Sequence, residues 1–185
     1  MPQSFLGDSL VFEDLRPVAF APGALPGGIE LAHLNSDNHQ LLAAEASLEE
    51  ARVHEALKDE SPALVHELQR LEYKLNILLR LVADLSLRHN ALPPARAIRL
   101  TSRGLEWRGD GPPVGASGLL SLYINPALPQ PLKIPVRIVA ERSADGQRIA
   151  QLEFCGLSDA VAALLDKLIF RHHRRLVAGA KLAHS

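Results

Sequence analysis

Residues 64–85 read LVHELQRLEYKLNILLRLVADL, and in this stretch Leu64, Leu68, Leu71, Leu75, Leu78, Val82 and Leu85 follow one another at alternating steps of four and three. A helix carries about 3.6 residues per turn, so those steps keep the side chains in one narrow stripe. The repeat of about 3.5 residues is that of a coiled-coil seam, whose stripe stays in register with a partner only when the helices supercoil. Leu79 and Leu81 flank the stripe and widen it. One partner helix does not cover so wide a seam, which favours a trimer or tetramer over a dimer. Packing of the stripe on its own domain is the alternative, but the remaining chain offers little surface for so long an apolar face. Self-association through these seven positions is the expectation, with a homotetramer favoured.

Around the stripe, residues 36–90 contain no Gly and one Pro, the composition of helix. Ser36-Asp37-Asn38 offers N-cap residues, and Leu41, Leu42 and Leu48 recur with alanines near helical spacing. Ser61-Pro62 restarts the pattern, with Pro at a first helical position where its missing N–H costs nothing. Glu45, Glu49, Glu50 and Glu55 read as a solvated helix face. Residues 1–35 are rich in Pro and Gly and hold one strand-like run, Leu10 to Leu15. Three units are expected: 1–35 as strand and loop joining a barrel, 36–90 as long helices with the seam, and 91–185 as the barrel and a last helix.

Downstream, the period changes from helical to strand-like. Ala97 to Thr101, Leu105 to Trp107 and Leu119 to Ile124 are short runs separated by Gly, Pro and Asp-Gly punctuation. From Leu132 to Ala140 apolar residues alternate with mostly polar ones, the pattern of a half-buried strand, and Pro135 on the outward set suggests an edge or a bulge. Asp145-Gly146 is a strong hairpin signal, and the return strand carries Ala150, Leu152 and Phe154 on one face. Ser158 caps a closing helix with Val161, Leu164, Leu165, Leu168 and Ile169 as its buried stripe. Arg171-His172-His173-Arg174-Arg175 at its end reads as a solvated cationic terminus favoured by the helix dipole. The fold class is α+β: a small antiparallel β-barrel with long heptad-bearing helices and a C-terminal helix.

The stretch Ile98-Arg99-Leu100-Thr101-Ser102-Arg103-Gly104-Leu105, then Val114-Gly115, Val136-Arg137-Ile138-Val139 and Leu152-Glu153-Phe154 running into the last helix, resembles a PilZ domain. With a heptad-bearing helix ahead of the barrel strands, it resembles the atypical PilZ group, in which such a helix builds a tetramer. The resemblance spans about residues 8–178. It implies a bacterial signalling protein linked to cyclic di-GMP, motility and virulence. Typical members hold that ligand with an Arg-x-x-x-Arg loop and an Asp/Asn-x-Ser-x-x-Gly turn, arginine forks gripping the phosphates. Here Gly104 matches the turn glycine and Thr101 stands for its serine, while Arg99 occupies the Asp/Asn position. Upstream of that turn no Arg-x-x-x-Arg occurs, since Arg88, Arg96 and Arg99 lie at other spacings. Losing the forks removes several charge-assisted hydrogen bonds of about 1.5–3 kcal/mol each. Two or three such losses move a micromolar site to roughly millimolar or weaker. High-affinity cyclic di-GMP binding in the usual way is therefore not expected. The alternative is a direct receptor using a non-standard site built from Arg96, Arg99, Thr101, Arg103 and Gly104.

No catalytic constellation can be assembled. Cys155 is the only cysteine, so no intramolecular disulfide or cysteine-built metal site arises. His54, His66 and His89 are scattered, with no His-x-x-x-His pair, and adjacent His172 and His173 point about 100° apart on a helix. Gly115-Ala116-Ser117-Gly118 lacks the strand–loop–helix setting of a phosphate loop. A net charge of −1 and 4% aromatic residues give no reason to expect a nucleic acid or a membrane surface. A non-enzymatic, cytoplasmic adaptor is expected, without cofactor or membrane insertion, whose partners are copies of itself and a signalling protein that the sequence does not name.

Overall fold

Alternating apolar residues in six segments close into a barrel whose order is β1-β2-β3-β6-β5-β4, antiparallel throughout. In this computed structural model, the structure describes residues 10–53, 92–125 and 130–182, with residues 66–68, 70, 71, 73–75, 77, 78, 81 and 82 of the intervening stretch. The strands are β1 (Phe12–Pro22), β2 (Ala95–Leu100), β3 (Gly104–Arg108), β4 (Ser117–Leu122), β5 (Leu132–Ala144) and β6 (Gln147–Phe154). The helices α1 (Gly28–Val53) and α2 (Asp159–Leu182) pack against the barrel and each other.

β1 closes the ring by changing partner along its length. It pairs with β2 up to Pro17↔Ala95 and with β4 from Val18↔Leu122. It thus runs well past the Leu10–Leu15 segment that the sequence marks, because the handover at Pro17 leaves no polar–apolar rhythm to read. Inside the barrel Ile98, Leu100, Leu105, Trp107, Leu120, Leu122, Ile134, Val136, Ile138 and Leu152 are buried together. Leu42 of α1 and Val161, Leu165, Leu168 and Ile169 of α2 join the same core. Fully burying such a side chain contributes about 1.5–3 kcal/mol.

The β5–β6 hairpin turns at Asp145-Gly146, both with positive φ (53° and 73°), as a type I′ connection requires. Pro135 is buried in a closed barrel, so the expected edge is absent there, and the register shift lies between Ile138 and Ala140 instead. The proline is tolerated for a different reason. Its carbonyl accepts from the Cys155 amide, so its nitrogen faces the β6 side where that strand has just ended, and no ladder donor is lost.

α1 begins at Gly28, ahead of the expected start at Ser36, and Ser36-Asp37-Asn38 lies within the helix. Its asparagines serve the tertiary fold instead of a cap. Asn38 is buried and clasps β5, accepting from the Lys133 amide at 3.0 Å and donating to the Lys133 carbonyl at 2.9 Å. Asn35 grips the turn into α2, donating to the Gly156 carbonyl and accepting from the Ser158 amide, each at 2.9 Å. Ser158 caps α2 as its sequence predicts, its hydroxyl accepting from the Val161 amide. Glu45 is not on a solvated face: it is 6% exposed and accepts a hydrogen bond from the Asn125 side chain. The restart at Ser61-Pro62 and the side chains of Glu49, Glu50, His54, Glu55, Leu79, Arg88 and His89 lie outside the described residues.

Candidate functional site

Two surfaces carry the functional reading, and the first is the β2–β3 hairpin. Leu100↔Leu105 is its last ladder pair, so Thr101 to Gly104 form the turn. The buried Thr101 hydroxyl accepts from the amides of Arg103 (3.3 Å) and Gly104 (3.2 Å), while the Thr101 amide donates to the Gly104 carbonyl at 3.0 Å. Thr101 thus fixes the turn's shape, and Arg103 projects from it exposed.

Arg99 leaves the outer face of β2 opposite Glu106. Glu106 is 0% exposed, and its carboxylate accepts from Arg99 at 3.1 Å, from Arg142 at 3.2 Å and from the Gln151 amide at 3.3 Å. Arg99 also reaches Glu13 of β1 at 3.5 Å, and Arg108 approaches that carboxylate at 3.7 Å. Outward side chains of five strands are thus tied together. A buried carboxylate is tolerable only with such partners. In this arrangement both the fork and the charge of Arg99 are already engaged by carboxylates, and recruiting it to a phosphate would uncover Glu106.

Arg96 sits an odd number of residues from Arg99 on β2 and therefore leaves the opposite face, the one shared with Ile98 and Leu100. It stands opposite Arg16 of β1, which pairs with Asp14 at 2.8 Å and lies 5.5 Å from the Phe12 ring centre. Arg96 and Arg99 therefore leave opposite faces of β2, and Arg103 projects from the turn that follows. The Phe12 ring also packs against His172 at a centroid distance of 4.1 Å. His172 is accordingly part of the α2–barrel contact, not of a solvated helix end.

Glu106 and its partners Arg142 and Gln151 do not stand out in the sequence. Hairpin arithmetic around the Thr101–Gly104 turn pairs Arg99 with Glu106, a signal that was available. The approach of Arg142 was not, because the register shift on β5 moves it. Among the described residues no group of three His, Cys, Asp or Glu side chains is placed to hold a metal. Cys155 follows β6, where burial pushes its thiol pKa up and the nearby Arg137 charge opposes that.

The second surface is the stripe. Leu68, Leu71, Leu75, Leu78 and Val82 are helical and 51%, 58%, 53%, 59% and 56% exposed, with Leu81 beside them equally open. Leu64 and Leu85 lie outside the described residues. Large aliphatic side chains left this open at heptad spacing are an apolar surface without a partner among the described residues.

The sequence matches the family model described as "Atypical PilZ domain, cyclic di-GMP receptor" over residues 42–182. The chain belongs to the atypical PilZ family. That match contains the stripe, the Thr101–Gly104 turn, the β5–β6 hairpin and α2. Among solved structures, a pathogenic protein from Xanthomonas campestris, described as a tetrameric PilZ domain self-assembled via an unusual helical bundle, superposes with a TM-score of 0.73. It shares 27% identity, and the alignment covers 92% of this chain and 91% of that one. No curated protein matches the chain significantly. The closed barrel with its C-terminal helix is thus a PilZ fold, as the order of elements in the sequence implies.

Proposed function

We propose that this PilZ protein is a non-enzymatic, cytoplasmic adaptor that assembles into a homotetramer through Leu64, Leu68, Leu71, Leu75, Leu78, Val82 and Leu85. In this reading it presents its barrels to a signalling protein in cyclic di-GMP-linked control of motility or virulence. The observation that carries it is the exposed leucine stripe, which a second, third and fourth copy would bury. The tetrameric assembly described for the Xanthomonas campestris protein supports the same arrangement here. Clustering several barrels raises avidity for a partner without demanding a strong single site.

The adaptor works without high-affinity cyclic di-GMP binding, and it needs no cofactor. Arg99 stands where the motif has a hydrogen-bonding acid or amide, and Glu106 and Glu13 occupy its guanidinium. The second reading, a direct cyclic di-GMP receptor, is favoured by the family's description and by Arg96 and Arg103, which make no ion pair among the described residues. Calorimetric titration of cyclic di-GMP into the full chain at near-physiological salt separates the two. The adaptor reading expects no detectable heat and no thermal shift. Saturable binding tighter than about 10 micromolar, roughly −7 kcal/mol, that is lost in Arg96→Ala or Arg103→Ala would replace it with the receptor reading.

A further inference from the structure

The near-neutral total charge of the chain conceals a segregated end. From Lys167 to Ser185 there is no Asp or Glu, whereas Lys167, Arg171, Arg174, Arg175 and Lys181 are all cationic, in a chain whose net charge is −1. All five cations belong to α2, and four of them, Arg171, Arg174, Arg175 and Lys181, lie in its C-terminal half. The core-facing side of α2 is fixed by Val161, Leu165, Leu168 and Ile169. Successive helical residues turn by about 100°. Lys167, Phe170, Arg174 and Val177, at steps of three, four and three, therefore share the opposite side. The exposures agree: Phe170 is 49% and Val177 45% exposed, and Lys167 and Arg174 are exposed. The Arg174 guanidinium lies 5.9 Å from the Phe170 ring centre, so cation and ring form one surface.

We propose that this outward stripe of α2 docks the protein on an anionic lipid surface. A stripe of Lys and Arg around an exposed aromatic ring and an aliphatic side chain is the chemistry that seats a helix at the headgroup level, cations on the lipid phosphates and the ring at the acyl boundary. The stripe is convex, and Arg174 stands between its two apolar side chains. A helix that fills a protein groove instead presents apolar anchors in succession, so a lipid headgroup layer, which needs no matching notch, suits the stripe better than an acidic protein. No helix among the described residues is long and apolar enough to cross a membrane, so the docking is peripheral. The inference does not rest on the leucine seam, whose residues lie on another helix.

Co-sedimentation of the full chain with phosphatidylcholine vesicles, with and without phosphatidylglycerol, tests it. The expected result is pelleting with the anionic vesicles alone, weakened as salt rises. The double variant Lys167→Glu/Arg174→Glu should lower the partition at least about tenfold, given roughly 1 kcal/mol per basic residue at such a surface. Phe170→Ser should lower it while keeping the salt dependence, and it guards against a reading based on charge alone. Circular dichroism melting and sedimentation of each variant check that fold and assembly are intact. Failure of the wild-type chain to pellet with anionic vesicles overturns the proposal, and so does equal binding to both vesicle types. Undiminished binding of the folded double variant also overturns it. If the stripe is instead covered by another copy or by an acidic protein, the first of these outcomes is the one observed.

Discussion

At the scale of single residues, Glu106 concentrates most of the unusual chemistry. A carboxylate with no solvent contact costs several kcal/mol to bury, and here two guanidinium groups and one amide offset that cost. Glu106→Gln keeps the shape but removes the charge and one acceptor. The arginines stay in contact with water, Arg142 at 37% exposure, so screening reduces the loss to about 1–3 kcal/mol. Urea unfolding is the measurement, and a change below a few tenths would mean that the cluster is decorative. A second residue-scale prediction concerns Cys155. Burial raises its thiol pKa, so iodoacetamide at neutral pH should label it more slowly in the folded protein than in the urea-unfolded chain. Equal labelling rates would contradict the burial. Arg148 holds the Glu141 carboxyl below its ordinary pKa, chiefly through their hydrogen bond. A depressed carboxyl contributes stability above its unfolded value and loses it as pH falls through its folded one. Glu141→Gln should therefore flatten the acid limb of a melting-temperature profile below about pH 4. At this scale the sequence locates Thr101 and Gly104 in their turn and, by hairpin arithmetic, Arg99 opposite Glu106, but it is silent on Arg142 and Gln151, whose approach to Glu106 depends on strands distant in sequence.

At the scale of elements, the hairpin turns and the caps are legible because their chemistry is local. Asp145-Gly146 and Ser158 need only their neighbours in sequence, and both act as their chemistry predicts. The start of α1 is not legible in this way, because Ser36, Asp37 and Asn38 carry capping chemistry that tertiary contacts put to another use. Asn38→Ala tests that use: it leaves the Lys133 amide and carbonyl without their partner at a buried junction. The expected loss is about 2–3 kcal/mol of unfolding free energy in urea, with the slope of the transition unchanged. Asn38 as a dispensable helix residue would give no measurable change. The glycines separate two kinds of tolerance. At Gly156, where φ is +73°, a Cβ would meet the flexible end of Leu31 at 2.7 Å, so Gly156→Ala should cost about 1–2 kcal/mol and loosen α1 from the turn. At Gly118 a Cβ would fall 2.1 Å from the Ala21 carbonyl oxygen, which is backbone of the paired strand. Gly118→Ala must therefore break the β1–β4 ladder that closes the barrel, and the greater destabilisation of the two should be seen there.

At the scale of the whole molecule, the heptad rhythm and the order of strands are the strongest features of the sequence, because each repeats one physical requirement over many residues. Closure of the barrel through β1 is weaker, since a strand that changes partner half-way obeys no single alternation. The stripe turns the assembly into a thermodynamic question. Side chains such as Leu71 and Leu78, more than half exposed in one chain, would enter an interface only in the oligomer. Folding and association are then linked by mass action, so the melting temperature should rise with protein concentration. Leu71→Glu/Leu78→Glu places charges in the seam, where burial without partners costs several kcal/mol per group. That variant should sediment as a monomer at concentrations where the proposed tetramer of the parent chain forms, and its melting temperature should no longer depend on concentration. The barrel core, drawn from β1 to β6 with α1 and α2, contains none of the described stripe residues, so the monomer should keep the strand signature in circular dichroism. Persistent tetramers in this variant would move the interface away from the stripe. Loss of the barrel together with the oligomer would instead make the seam part of the fold itself.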